Sequence, residues 1–397
     1  MLSNFFFLTG LVRSGTTLLA RCCDAHPQIT CASDPLFGFF RCLRNDLRKT
    51  WNIEGGDPAE PLSDFFFDSK GELLRLADAN LHVPVTIDHA TLTKEIARFA
   101  DATGNAPAIV PLLNKLNGST YAEVFVQLVE MLKAAYGSET DQWSGFKQTW
   151  VEAFGGTILN TWPEAHVVHL VRDPRAVIAS WRTAKFLRHD YPFLMIVRHW
   201  RKSVAVASLF SRRYKNYTVS SYEDLVSEPE QEIKKIAAAC GFPVDQQMLD
   251  ASRFRSEDGG AWKANTSHGG PTDKIASEKK DRWKEQLAIE EIQLIEDLCD
   301  LELKWMGYAR VTEPGAPTSF LRQLRLERAV TGPTPWMDSF KGKYEFDANN
   351  FSQELTRWFL QNQPASVLPE QLRQQIYLDP ELITPSHRPF ATAQSSL

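Results

Sequence analysis

The stretch FFFLTGLVRSGTTLLARCC, residues 5–23, limits what this chain can fold into more than any other. Residues 4–9 (NFFFLT) are apolar and short, as a buried strand is, and they begin almost at the first residue. Gly10 to Gly15 reads as a turn. Residues 16–25 then repeat Leu18, Leu19, Ala20, Cys22 and Cys23 at helical spacing, until Pro27 ends the run. A strand that enters a helix through a glycine turn opens an α/β domain.

That turn has a chemistry. The first N–H groups of a helix lack intrahelical acceptors, and with the helix dipole they attract a phosphate or sulfate. Thr16 and Thr17 add hydroxyl donors, Ser14 and Gly15 shape the loop, and Arg13 adds a charged fork. The pattern lacks the lysine of a G-x-x-x-x-G-K-[ST] loop, which disfavours ATP or GTP hydrolysis. Taken alone, the segment serves equally well as a strand-to-helix turn with a capping threonine.

A second unit lies at residues 165–181. The run VVHLV, residues 167–171, suits a parallel strand buried on both faces, RDPR is a turn, and a helix follows. Arg172 stands where open α/β sheets bind ligands, and Ser180 lies two helical turns further on. An Arg172–Asp173 structural network is the plain alternative. Further helices are expected at 72–79, 92–100, 121–136, 192–211, 230–240 and 281–301, and a strand at 217–220. Residues 256–280 are polar and glycine-rich, a composition suited to a covering loop. The basic run Arg198, Arg201, Lys202, Arg212, Arg213 and Lys215 suits a solvated helix face.

Composition bounds the rest. With 397 residues, 43% hydrophobic and 23% charged, the chain has an ordinary globular balance, and a net charge of -5 supplies no field for nucleic acid. The six cysteines include no Cys-x-x-Cys pair, so free, partly buried thiols and a reducing compartment are expected. No segment supplies the roughly 20 apolar residues of a membrane span, so a cytoplasmic protein without a membrane anchor is expected. The prolines and glycine near residue 315 mark a boundary, giving a domain over 1–314, an acceptor-side elaboration at 35–120 and an extension over 315–397.

The segments FFLTGLVRSGTTLLARCCDAHPQI and HVVHLVRDPRAVIASW, followed by Tyr222-Glu223-Asp224-Leu225, resemble the ordered signatures of the sulfotransferases that use PAPS (3′-phosphoadenosine 5′-phosphosulfate). The resemblance extends to about residue 309 and is closest to the tyrosylprotein and bacterial branch. It implies a three-layer α/β sandwich with a central parallel sheet, the P-loop-like sulfotransferase fold. It also implies PAPS as co-substrate, PAP as product and no metal. Carried over, Arg13, Ser14, Gly15, Thr16 and Thr17 become the 5′ phosphosulfate loop, and Arg172 and Ser180 the 3′-phosphate clamp. Tyr222, Ser267 and Arg282 become further nucleotide contacts.

The same resemblance places a catalytic carboxylate at Asp34, one methylene shorter than the family's glutamate, and a lysine near the transferred group at Lys147. Arg13 joins them as a catalytic cation. Asp34 also suits a turn before Pro35, and Lys147 a solvated surface. His82 and His89 are reserve bases. For the acceptor, the apolar composition of residues 35–120 favours an alcohol or phenol on a small molecule first, a carbohydrate second and a protein tyrosine third. An ATP-using kinase and a non-catalytic nucleotide-binding protein are the alternatives.

Overall fold

Strands joined by helices cannot pair as hairpins, and each return through a crossover leaves the next strand parallel to the last. In the computed structural model, the described residues are 2–53, 58, 62, 72–102, 106–182, 193–257, 259, 260, 262, 275, 280–315 and 357. Among them lie β1 (Phe5–Gly10), β2 (Ile29–Ser33), β3 (Trp143–Thr149), β4 (His166–Val171) and β5 (Tyr217–Ser221). They form one all-parallel sheet in the order β2-β3-β1-β4-β5.

The helices are α1 (Thr16–Asp24), α2 (Phe37–Thr50), α3 (Glu72–Asp78), α4 (His89–Ala102), α5 (Tyr121–Tyr136), α6 (Gly155–Thr161) and α7 (Pro174–Arg182), followed by α8 (Phe193–Arg213), α9 (Tyr222–Ser227), α10 (Pro229–Cys240), α11 (Trp283–Gln286), α12 (Ile289–Leu298) and α13 (Asp300–Met306). The chain forms two compact units. The first comprises Met1–Asp68, Glu72–Val171 and Phe210–Ser277; the second comprises Ser69–Gly71, Arg172–Leu209 and Glu278–Leu397.

The first unit has three layers because β1 alternates apolar residues to both faces. Phe6 and Leu8 join Leu19, Cys22 and Cys23 of α1 and Ile233, Ile236 and Ala237 of α10 in one buried cluster. Phe5 and Phe7 point the other way. Phe5 meets Phe125 of α5 edge-on at 5.6 Å, and Phe7 stacks on Phe40 of α2 at 6.1 Å. An interior strand apolar on both faces is what a covered parallel sheet requires. All six cysteines are buried free thiols, as expected, and burial pushes Cys22 and Cys240 up to about 12.

In the second unit, α7 packs on α11 and α12. Asp173 binds Arg175 through Nε at 2.9 Å and Nη2 at 2.6 Å, while Arg175 reaches Glu296 and lies 4.1 Å over the Trp283 ring.

Two expectations change. The helix expected over 281–301 is broken into α11, α12 and α13, because the Glu291 carboxylate accepts from the Ala288 N–H at 2.8 Å and starts a new helix there. The basic run is no solvated face throughout: Arg201 and Lys202 of α8 are buried, whereas Arg212, Arg213 and Lys215 are exposed. Lys147, 1% exposed on the interior strand β3, does not take the solvated surface position that was the alternative reading of it.

Candidate functional site

Parallel strands end together, so whatever follows their last residues collects at one edge, where open α/β sheets bind ligands. In the first unit that edge carries the loop after β1, Asp34 directly after β2, Lys147 near the end of β3 and Tyr222 directly after β5. Arg172 is the residue after Val171, the last of β4, and β4 pairs with β1.

The β1 loop takes a backbone that few side chains tolerate. Gly10, Arg13 and Gly15 all take positive φ, at 149°, 72° and 88°. The Ser14 N–H closes a tight turn on the Leu11 carbonyl at 3.1 Å. α1 starts at Gly15 without a side-chain cap. Left-handed residues interleaved in a loop direct successive N–H groups to one side and form an anion-binding concavity. Ser14 is 1% exposed, and its hydroxyl has no hydrogen-bond partner among the described residues. A buried, unsatisfied donor in such a loop is the complement of a bound anion. These residues fit a 5′ phosphosulfate.

Tyr222 fixes the far wall of the loop. The Ser221 hydroxyl accepts the Asp224 N–H at 3.2 Å, which starts α9 and sets Tyr222 at its first position. A Cβ added to Gly15 would lie 2.3 Å from Cδ2 of the Tyr222 ring. Only glycine combines that approach with φ of 88°. The sequence brought Gly15 and Tyr222 into one site; the structure brings them into contact.

Asp34 and Lys147 form one charged pair. Ser33 lies opposite Lys147 in the β2–β3 register, and the Asp34 N–H donates to the Lys147 carbonyl at 2.6 Å. Asp34 turns out of the strand at φ 48°. Its Oδ2 binds the Lys147 ammonium. Its Oδ1 accepts from the Thr149 N–H at 2.9 Å, the Thr149 hydroxyl at 3.1 Å and the Gln148 amide at 3.3 Å. The Lys147 side chain is 2% exposed and that of Asp34 21%, so the carboxylate alone faces outward. Sequence reasoning named both residues but not their pairing, and it missed Gln148 and Thr149.

A family model described as the sulfotransferase family matches residues 6–246. The chain belongs to this family. The segments that carry the family resemblance include the loops after β1 and β4 and the residues directly after β5. Human carbohydrate sulfotransferase 6 is 28% identical over 204 residues, covering 44% of this chain and 49% of the relative. Carbohydrate sulfotransferase 5 of Mus musculus is 28% identical over 206 residues, covering 44% and 48%. The chain spans about half the length of these curated relatives. Among solved structures, the sulfotransferase domain from the curacin biosynthetic pathway is similar at 16% identity and a TM-score of 0.42, over 74% of this chain and 96% of that one.

In the second unit, Ser180 lies in the last turn of α7, Trp200 Nε1 donates to the Arg172 carbonyl at 2.8 Å, and Arg282 precedes α11, whose Trp283 supports Arg175. Ser267 lies outside the described residues. His82 is exposed, and the neighbouring Leu81 N–H bonds the Thr161 hydroxyl at 2.8 Å, at the end of the crossover that returns to the start of β4. His89 is half-buried and bonds the Gly118 carbonyl at 3.0 Å.

Proposed function

We propose that this protein transfers a sulfuryl group from PAPS to a hydroxyl acceptor and releases PAP. The observation that carries the proposal is the anion-binding loop at Arg13–Thr17, with its buried unpartnered Ser14 hydroxyl, one strand away from the Asp34–Lys147 pair. In the reaction, the acceptor oxygen forms a bond to sulfur as the bond from sulfur to the bridging phosphate oxygen breaks, and the hydroxyl proton passes to a base.

Asp34 serves as that base through Oδ2. Its Oδ1 already accepts three bonds, whereas among the described residues Oδ2 pairs with Lys147 and retains a lone pair for an incoming hydroxyl. Lys147 and Arg13 stabilise charge developing on the leaving PAP. Arg172 and Ser180 hold the 3′ phosphate, and Tyr222, Ser267 and Arg282 make further nucleotide contacts. No metal is required in this scheme, because cationic side chains and N–H groups neutralise the leaving nucleotide. We assign 1–314 to the catalytic domain, 35–120 to the acceptor side and 315–397 to an extension. The six buried free thiols favour a reducing compartment, and we infer the cytoplasm.

The names of the relatives, both carbohydrate sulfotransferases, favour a carbohydrate hydroxyl. A small hydroxylated aromatic is the second reading, favoured by the half-buried Phe37 and Phe99 rings, 4.8 Å apart and three residues beyond Asp34 at the first of them. Protein tyrosine ranks third. Calorimetry with PAP, PAPS and ATP, followed by label transfer from PAPS to a neutral oligosaccharide, 2-naphthol and an acidic tyrosine peptide, tests the reading. Tight PAP binding with transfer to one of the first two is expected. A preference for ATP would overturn it.

A further inference from the structure

Asp34 can act as described only if its backbone stays in an unfavourable left-handed turn, and a second ion pair sits where it can enforce that turn. Arg21 of α1 is 2% exposed. Its Nη2 donates to the Ser33 hydroxyl at 2.9 Å and pairs with the Glu257 carboxylate, while Nη1 donates to the Arg255 carbonyl. The same Glu257 oxygen accepts the Ser33 N–H at 3.2 Å. Ser33 is the last residue of β2 and the one before Asp34.

The Ser33–Asp34 link is therefore held at three points. Glu257 takes the Ser33 N–H, Arg21 takes the Ser33 hydroxyl, and the Lys147 carbonyl takes the Asp34 N–H at 2.6 Å. Among the described residues β2 is an edge strand, so the Ser33 N–H on its open side meets no neighbouring strand of that set. Glu257 supplies the missing acceptor from 224 residues away.

Glu257 is itself fixed. The Ser256 N–H bonds the Gly260 carbonyl at 2.9 Å, the Trp262 N–H bonds the Phe254 carbonyl at 3.1 Å, and the two rings pack edge-on at 5.8 Å against the α1–α10 core. On the other side, Asp24 accepts the Cys31 N–H of β2 at 3.0 Å and lies 3.6 Å from Arg21. One buried arginine thus links α1, the end of β2 and the segment that carries Arg255 and Glu257.

We propose that Arg21 and Glu257 are positioning residues for Asp34: they lock the Ser33–Asp34 turn so that the carboxylate faces the acceptor while held by Lys147 and Thr149. The proposal rests on the reading of Asp34 as the base, and its test separates the two. A purely structural pair would lower the melting temperature and leave the Asp34 environment unchanged. A positioning pair alters that environment.

The test uses the full chain labelled with 13C at the aspartate carboxyl carbon, with the Asp34 resonance identified by its loss in Asp34→Asn. At fixed pH, Glu257→Gln and Arg21→Met are expected to move that resonance, and Asp78→Asn, which breaks the exposed Arg213–Asp78 pair elsewhere, to leave it in place. Glu257→Gln is nearly isosteric and keeps the test open if Arg21→Met does not fold. PAP affinity is expected to stay within about twofold, because additivity holds for groups that share no partner. With 2-naphthol or a neutral oligosaccharide as acceptor, kcat is expected to fall about tenfold or more in Glu257→Gln, and by less than about twofold when Glu257→Gln is added to Asp34→Asn. A resonance unmoved in both variants overturns the proposal, as does a full rate penalty in the Asp34→Asn background. A moved resonance with wild-type turnover in Asp34→Asn removes the base reading and leaves the positioning role standing.

Discussion

The Lys147 ammonium and the Asp34 carboxylate are ion-paired across neighbouring strands, with the lysine almost wholly enclosed and the carboxylate partly open to solvent. Lysine is rarely fully buried unless paired. Asp34 is thus the counter-ion that lets Lys147 occupy β3.

This asymmetry predicts an order of stabilities. Asp34→Ala leaves an enclosed ammonium without its anion and is expected to cost about 2–4 kcal/mol, less than a fully buried pair because Asp34 is partly exposed. Lys147→Met removes the enclosed charge and leaves Asp34 its Thr149 donors, at about 1 kcal/mol. Both are expected to reduce transfer by about 100-fold or more. Urea unfolding of the two variants measures the order. If Lys147→Met is the less stable, the lysine is not held by Asp34.

Gly15 faces the Tyr222 ring at a φ that side chains avoid, so Gly15→Ala meets two obstacles. The left-handed backbone costs about 1–2 kcal/mol, and the clash displaces either Tyr222 or the loop. PAP affinity measured by calorimetry is expected to fall at least about tenfold. Adding Tyr222→Ala removes the clash but not the strain, so it is expected to recover part of the stability and none of the PAP affinity. Wild-type affinity in Gly15→Ala would show that the loop does not hold the nucleotide.

How much of this the sequence revealed depends on where each strand keeps its polar residues. β1 and β4 were legible because Phe5 to Leu8 are apolar on both faces and Val167 to Val171 depart from that pattern only at His169. β3 was not, since WSGFKQT buries Ser144, Lys147 and Gln148, and a strand that ends in a site breaks the apolar pattern that would reveal it. β2 was hidden similarly, with Thr30 and Ser33 buried beside Cys31. Local motifs exposed the β1 loop because its glycines, hydroxyls and arginine are contiguous. Asp34 and Lys147 are 113 residues apart, and Arg21 and Glu257 236 apart, so only the fold reveals those pairs.

Arg172 gives a ligand-specific prediction. If it reads the 3′ phosphate, Arg172→Ala loses a charge-assisted contact with that group alone. PAP affinity is expected to fall about 100-fold, whereas affinity for adenosine 5′-phosphate, which lacks the 3′ group, changes less than about threefold. Ser180→Ala is expected to show the same selectivity at smaller size. Equal losses for both nucleotides would assign Arg172 to the fold, not to the phosphate.

His169 sets a limit on acid stability. It is fully buried on β4, with Nδ1 2.6 Å from the Tyr217 hydroxyl. Burial pulls its pKa down to about 4, against the opposing charge of Glu152, while burial pushes Tyr217 up, so both groups are neutral near pH 7. An unfolded histidine titrates at about 6.5. Above that pH neither state binds the proton and His169 adds no pH dependence. Below it the unfolded chain binds a proton that the native one excludes, so stability falls as pH drops from about 6.5 towards 4. The loss between pH 7.5 and pH 5 is expected to be about 2 kcal/mol. Carboxylates also titrate near the acid end, so the informative quantity is the difference between wild type and His169→Asn at the two pH values. The variant is expected to be less stable at pH 7.5 but to lose about 2 kcal/mol less on going to pH 5. Tyr217→Phe is expected to keep the wild-type pH dependence, because burial and not the hydroxyl causes the shift. Parallel pH dependence in wild type and His169→Asn would show that His169 does not resist protonation in the folded core.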